Sequence, residues 1–343
     1  MLTINCSGSP YEIGFEHGQR AAPLVARSMT FYAGLFKQKS KMDWPQVRQT
    51  ALQWQPHVHE HYPALEEEMR GLAEGAGVEY SDILALNIRT EIAFGMFSDG
   101  CTALSWNTSE KSFLGQNWDW MVAQKENLII ANIIQVGKPS ISMVTEAGII
   151  GKIGLNSAGV GACLNAIRLK GADSSRTPVH LCLRLILESD SVDAAVAAVE
   201  KYGCASSAHI LIADPNGSVG LELTYKSVIK LPMDGKGRIF HSNHLLQRPA
   251  WLADEGMATG DTKERVVRIR QLADKLGSFP DEEDVKSVFK DEEGYPGSIN
   301  RAFAGKSEGA TLFNIVMDLT SKTATVTKGR PTEAEEVIAL SFA

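Results

Sequence analysis

Asp99-Gly100-Cys101-Thr102-Ala103 is the stretch on which the reading of this chain turns. A glycine precedes a cysteine, and the cysteine opens a β-favouring run, Thr102 to Trp106, that reads as a strand. By itself a lone thiol is a weak signal, because free cysteine is among the most buried residue types. It gains chemistry if the chain cuts its own peptide bond between Gly100 and Cys101. The freed α-amino group, with a reference pKa of about 7.7 to 8.0, then stands beside the Cys101 thiol as general base to nucleophile. Gly100 suits such a cut, since a residue without Cβ accepts strained geometry and lets the thiol approach its carbonyl carbon in an N-to-S acyl shift. The Thr102 hydroxyl lies beside that bond and could assist cleavage, although β-propensity explains a threonine there equally well.

Downstream of Cys101 the pattern is one of short strands. A polar turn at Asn107 to Lys111 predicts that Phe113 to Asp119 returns as a hairpin, bringing Asn117 and Asp119 towards the strand end that bears Cys101. Asn117 would serve equally well as a cap of that hairpin. Strands are predicted at Leu128 to Gln135, Ser140 to Thr145 and Val160 to Asn165, with a turn at Asn156-Ser157-Ala158-Gly159. Two helices follow, one from Thr177-Pro178 and one from Ser191 to Tyr202. Ala208 to Ala213 and Gly220 to Leu223 form a second hairpin around Asp214-Pro215-Asn216-Gly217. A strand at Arg238 to Asn243 precedes helices at about 262–276 and 281–289. Strands at Thr311 to Met317, Thr323 to Val326 and Val337 to Phe342 close the chain.

Upstream, residues 1–100 read as mostly helical after one short strand. Ser9-Pro10-Tyr11-Glu12 is a capping box with proline at the first helical position. Asp43-Trp44-Pro45-Gln46 starts a second helix, and Ser81 is expected to start a third. Hairpins interrupted by paired helices favour an α+β fold of two stacked, largely antiparallel sheets with helices outside.

Composition narrows the function. The chain has 343 residues, 44% hydrophobic, and a net charge of -7, with no basic run or aromatic-basic interleaving, so a nucleic-acid binder is not indicated. The five cysteines, Cys6, Cys101, Cys163, Cys182 and Cys204, include no CxxC pair and predict neither a zinc site nor a disulfide framework. His57, His59 and His61 with Glu60 share a helical region but lack an evident third ligand, and beside Glu66, Glu67 and Glu68 they read as a solvated helix surface. No metal site is expected. Gly148, Gly151 and Gly154 fit neither phosphate-loop spacing and read as turns or close backbone packing. The start lacks a basic and then apolar leader, and no run approaches the ~18 apolar residues of a membrane span, so neither secretion nor membrane insertion is expected. Ser341-Phe342-Ala343 fits a peroxisomal tripeptide poorly, and the expected compartment is the cytoplasm.

Longer strings carry more. DGCTALSW, GQNWDW at Gly115 to Trp120, KENL at Lys125 to Leu128, TEAGIIGKIGLNSAGV at Thr145 to Val160, HSNH at His241 to His244 and GKSEGATLFNI ending at Ile315 occur in one order. This order resembles the acyl-coenzyme A:6-aminopenicillanic acid acyltransferase (isopenicillin N acyltransferase) family of N-terminal-nucleophile hydrolases, from MLTINCSGSPYEIGFEHG to the GRPT segment.

The resemblance implies a four-layer αββα sandwich spanning residues 1–343 as one domain. It further implies self-cleavage into a small subunit, 1–100, and a large subunit, 101–343, that stay together as a heterodimer. Cys101 becomes the nucleophile that carries an acyl thioester, with Gly100 and Thr102 flanking the processed bond. Asn243 supplies an N–H to the oxyanion, Ser307 serves processing and activity, and Asp119 contacts the amine acceptor. No cofactor is implied; acyl-coenzyme A is the expected acyl donor and a small amine the acceptor. Glu308 stands where penicillin-forming relatives have arginine. Arginine would pair with the penam carboxylate and glutamate repel it, so 6-aminopenicillanic acid is expected to be a poor acceptor and a cationic amine a better one. The readings left beside transfer are release of the acyl group to water and an inactive relic of the fold.

Overall fold

The helix starts expected at Ser9 and Asp43 form with complete capping boxes. This computed structural model describes residues 1–93, 100–252, 260–305, 307 and 309–342; Asp99, Glu308 and Ala343 lie outside the described residues. Strand β1 (Leu2–Gly8) leads into the long helix α1 (Pro10–Lys39), followed by α2 (Trp44–Ala51), α3 (Gln55–His61), α4 (Pro63–Ala76), α5 (Tyr80–Asn87) and α6 (Arg89–Ile92). Helix α5 starts before the expected Ser81. The Ser81 hydroxyl accepts from Arg48 Nε at 2.8 Å, and the Asp82 carboxylate takes the Glu79 N–H at 3.0 Å instead.

From Thr102 onward come β2 (Thr102–Asn107), β3 (Ser112–Trp120), β4 (Leu128–Gln135), β5 (Ile141–Glu146), β6 (Ile153–Asn156) and β7 (Gly161–Ala166). Helices α7 (Val179–Leu187) and α8 (Val192–Glu200) precede β8 (Ala208–Asp214), β9 (Gly217–Leu223), β10 (Val228–Leu231) and β11 (Arg238–His241). Helices α9 (Thr262–Lys275) and α10 (Glu282–Val288) precede β12 (Ala310–Asp318), β13 (Thr323–Lys328) and β14 (Glu336–Ser341). Two four-residue strands, β6 and β10, go beyond the expected set. Of the three glycines read as turns or packing points, Gly154 lies in β6, and a Cβ on Gly151 would sit 2.1 Å from the His180 carbonyl oxygen, so close packing accounts for it.

The strands make two sheets, ordered β1-β4-β5-β6-β7-β8-β9-β10 and β11-β2-β3-β12-β13-β14. Every pairing between these strands is antiparallel except β1 with β4. Helices α1, α7 and α8 pack on the outside of the larger sheet and α9 and α10 on the outside of the smaller, while β2 and β3 face β7, β8 and β9 across the interior. The α+β sandwich of four layers is thus the one expected. Because β2 and β3 are covered on both faces, they read as continuously buried. Ala103 and Leu114 belong to the inner core, whereas Leu104, Trp106 and Phe113 pack outward with Val266, Ile269 and Phe289 of the α9–α10 layer. Gln116 ties the sheets together, donating to Leu164 O at 2.6 Å and accepting from Leu164 N at 3.1 Å.

The histidine segment corrects an expectation. His57, Glu66 and Glu68 are buried rather than solvated. Glu68 forms an ion pair with Arg184 at 2.7 Å, and Glu66 accepts from His59 and Arg70 at 2.7 and 2.6 Å. His61 stacks on Tyr202 at 4.1 Å between ring centroids, and His57 Nε2 lies 3.4 Å from Thr177 Oγ1. Partners more than a hundred residues away absorb His57, His61 and Glu68, which no local pattern reports.

Candidate active site

Cys101 directly precedes β2, and the register Thr102↔Asn117 places it against the far end of β3. The thiol is fully buried and donates to Asp119 O at 3.8 Å. Its backbone carbonyl accepts from Arg265 Nη1 at 2.7 Å. The same nitrogen reaches Thr102 Oγ1 at 2.8 Å, so the Thr102 hydroxyl faces α9. Arg265 Nη2 donates to Asn243 Oδ1 at 2.9 Å and to Asp261 Oδ1 at 3.1 Å. One guanidinium therefore fixes Cys101, Thr102 and Asn243 together.

Asn243 follows β11, which pairs with β2 through His241↔Ala103. Its backbone N–H donates to Thr262 Oγ1 at 2.7 Å and its Nδ2 to Ala166 O at 3.0 Å. Nδ2 carries a second hydrogen, so the amide keeps a donor beyond the Ala166 bond.

Asp119 presents its carboxylate to a second arginine. Thr311 Oγ1 donates to Oδ1 at 2.7 Å and Arg301 Nε to Oδ2 at 3.3 Å. Arg301 Nη2 continues to Asp261 Oδ2 at 2.7 Å, and Nη1 reaches Ser307 Oγ at 3.4 Å. Ser307 in turn donates to Gly309 O at 2.7 Å. Asp119, Arg301, Asp261 and Arg265 thus alternate in sign around the site. Burial pushes the Asp119 carboxyl up to about 7 against the lowering pull of Arg301 and Arg265. The more exposed Asp261 is held below the usual carboxylate range, because Arg265 and Arg301 outweigh its desolvation.

Gly100 lies flat on this network. A Cβ there would stand 2.1 Å from Arg301 Nε, and Arg301 is pinned by two carboxylates, so no side chain fits in this arrangement. Beside α9 a cleft of about 690 Å³ has Asp261, Lys263, Arg265, Arg268 and Glu293 on its walls. It reaches the charged network from outside. Among the described residues no group of three or more His, Cys, Asp or Glu could hold a metal.

Of the residues singled out from sequence, Gly100, Cys101, Thr102, Asp119, Asn243 and Ser307 meet in this one region, and Glu308 lies outside the described residues. Asn117 is no hairpin cap: its Nδ2 donates to Phe289 O and Ile299 O at 2.9 Å each, tying β3 to the loops around α10. Sequence reading missed Arg265, Arg301, Asp261, Thr262 and Thr311. A signal existed for Arg265, which falls on the buried stripe of α9 with Thr262, Val266, Ile269 and Ala273, where a charge needs a partner.

Residues 106–333 match the family described as acyl-coenzyme A:6-aminopenicillanic acid acyl-transferase. The acyl-coenzyme A:6-aminopenicillanic-acid-acyltransferase 40 kDa form of Emericella nidulans is 40% identical over 347 residues, covering 100% of this chain and 96% of that one. The chain belongs to this acyltransferase family. It is accordingly an enzyme that transfers or hydrolyses acyl groups. Solved structures of the same fold include a variant of conjugated bile acid hydrolase from Clostridium perfringens, at TM-score 0.51 and 16% identity over 70% of this chain and 92% of that one. Penicillin V acylase from Agrobacterium tumefaciens aligns at TM-score 0.50 and 11% identity, over 71% and 86%. At such identities they speak for the N-terminal-nucleophile hydrolase fold alone. No helix among the described residues is long and apolar enough to cross a membrane.

Proposed function

We propose that this family member cuts its own Gly100–Cys101 bond and then moves acyl groups from acyl-coenzyme A, or from an amide, to an amine through a thioester on Cys101. The observation that carries the reading is the Arg265 guanidinium, which holds the Cys101 carbonyl at 2.7 Å and the Asn243 amide oxygen at 2.9 Å. Nucleophile and oxyanion donor belong together in acyl transfer, and this is the pair that one buried cation gathers.

In the processing step the Cys101 thiol attacks the Gly100 carbonyl carbon, the C–N bond breaks, and the acyl group of Gly100 passes to sulfur. Water then hydrolyses that thioester, leaving a carboxylate on Gly100 and a free amine and thiol on Cys101. In turnover the amine takes the thiol proton, sulfur attacks the acyl donor, and coenzyme A leaves with that proton as its thiol. Asn243 Nδ2 donates to the oxyanion. The incoming amine attacks the thioester, its proton passes through the Cys101 amine, and the thiol is restored. Asp119 and Ser307, joined through Arg301, would order the acceptor side. In the uncut chain Cys101 has no solvent exposure, so displacement of the chain before it must precede acylation from solution.

The test is intact mass after mixing the processed protein with a panel of acyl-coenzyme A thioesters. A gain of one acyl mass on the large fragment, removed by neutral hydroxylamine, is expected; a panel that leaves every fragment unchanged overturns the reading. Glu308→Arg adds a second arm. Repulsion of a carboxylate by Glu308 predicts faster acylation of 6-aminopenicillanic acid by the variant, and an equal rate would remove Glu308 from acceptor choice.

A further inference from the structure

Glu222, on β9 of the larger sheet, is fully buried and turns its carboxylate across the interior onto the segment that carries Asn243. His241 Nε2 lies 2.9 Å from Oε1, the Gln247 N–H donates to Oε2 at 2.9 Å, and the Leu246 N–H donates to Oε1. A single carboxylate thus grips the chain two residues before Asn243 and again three and four residues after it. His241 Nδ1 lies 2.8 Å from Ser242 O, so both ring nitrogens face oxygen atoms. The His209 ring stacks on His241 at 3.5 Å and 12°, and Gly220 makes room for it, since a Cβ there would stand 2.6 Å from His209 Nε2. Thr262 holds the other side through Ser242 Oγ at 2.6 Å and Asn243 N at 2.7 Å.

A carboxylate buried between sheets is costly unless paired and hydrogen-bonded, and here its bonds converge on one short loop. Resting on the reading of Asn243 as oxyanion donor, we infer that Glu222 is a positioning residue that fixes the Asn243 amide through His241 and the 246–247 backbone. The Gln isostere keeps one carbonyl oxygen, which at the Oε1 position still meets the Leu246 N–H and His241 but leaves an NH2 against the Gln247 N–H, so orientation survives in part in Glu222→Gln and is lost in Glu222→Ala.

The experiment measures the rate of Cys101 acylation by 4-nitrophenyl acetate, per processed molecule, in wild type, Glu222→Gln, Glu222→Ala, Asn243→Ala and the Glu222→Ala/Asn243→Ala pair. About a 10- to 100-fold loss, the range found when partners that orient a metal's ligands are removed, is expected for Glu222→Ala, with Glu222→Gln recovering part of it. In the Asn243→Ala background the Glu222→Ala loss should vanish, because a residue that acts through Asn243 has nothing left to position. A merely structural Glu222 would cost the same in both backgrounds and overturn the inference, as would an unchanged rate in Glu222→Ala. Should Glu222→Ala fail to accumulate, Glu222→Asp, one methylene too short for all three bonds, takes its place in the cycle with the same criteria. An Asn243→Ala protein as fast as wild type would instead overturn the oxyanion reading itself.

Discussion

Cys101→Ala is expected to persist as one chain of 37.3 kDa, while freshly purified wild type resolves under denaturing conditions into two fragments. Division in proportion to 100 and 243 residues gives roughly 11 and 26 kDa if the thiol is the processing nucleophile. The alanine variant removes the sulfur yet keeps a small apolar side chain at a fully buried position, so it should fold, and its failure to split would be chemical. Fragments in both proteins would point to an outside protease. A whole chain in both would leave Cys101 as an inert buried thiol and remove the basis for a processed nucleophile.

Arg265→Met should have the largest effect on stability. The methionine occupies similar volume but leaves the Cys101 carbonyl and the Asn243 Oδ1 without the donor each has now, and Asp261 with one arginine in place of two. A hydrogen bond to a charged group is worth about 1.5–3 kcal/mol, so losing those to Cys101 O and Asn243 Oδ1 should cost about 3 kcal/mol or more, which denaturant titration would read directly. Arg268→Met, one turn along the same helix, is the control. Arg268 is partly exposed and pairs with Asp291 and Glu293, so its loss should cost about 1 kcal/mol or less. Self-cleavage should also slow in Arg265→Met, since the side chain that ties Cys101 O directly to Asn243 Oδ1 is then gone. A variant as stable and as quickly cleaved as wild type would show that the guanidinium is a bystander.

Local rules made part of this molecule legible. Ser9 and Asp43 announce their helices through caps, and Thr102 to Trp106 announces a strand through propensity and the turn after it. The ordered strings around Cys101, Asn243 and Ser307 located residues that the fold does bring to one region. What escaped was set by distance along the chain. Arg265 meets Thr102 across 163 residues and Arg301 meets Asp119 across 182, and no periodicity encodes which buried arginine will find which carboxylate. The same holds for Glu68 and Arg184, whose pairing turned an apparently solvated helix face inward. Short strands such as β6 escaped for another reason: four residues interrupted by Gly154 carry too little pattern, and pairing with β5 and β7 makes them a strand.

Strand β1 has one more consequence. It is an edge strand that runs parallel to β4 from Leu2↔Ile129 to Gly8↔Gln135, yet it lies on the amino-terminal side of Cys101. A break before Cys101 would turn a sheet built by one molecule into a sheet completed by a guest. The guest is anchored by Arg27, which donates from Nε to Asn127 Oδ1 and from Nη2 to Glu126 O, by Asn132 Nδ2 on Asn5 Oδ1 and by the packing of α1 on β4. Trading it between molecules would mean unzipping that seven-residue ladder and lifting α1 from the core, so the two pieces should remain with their original partners for as long as the fold persists.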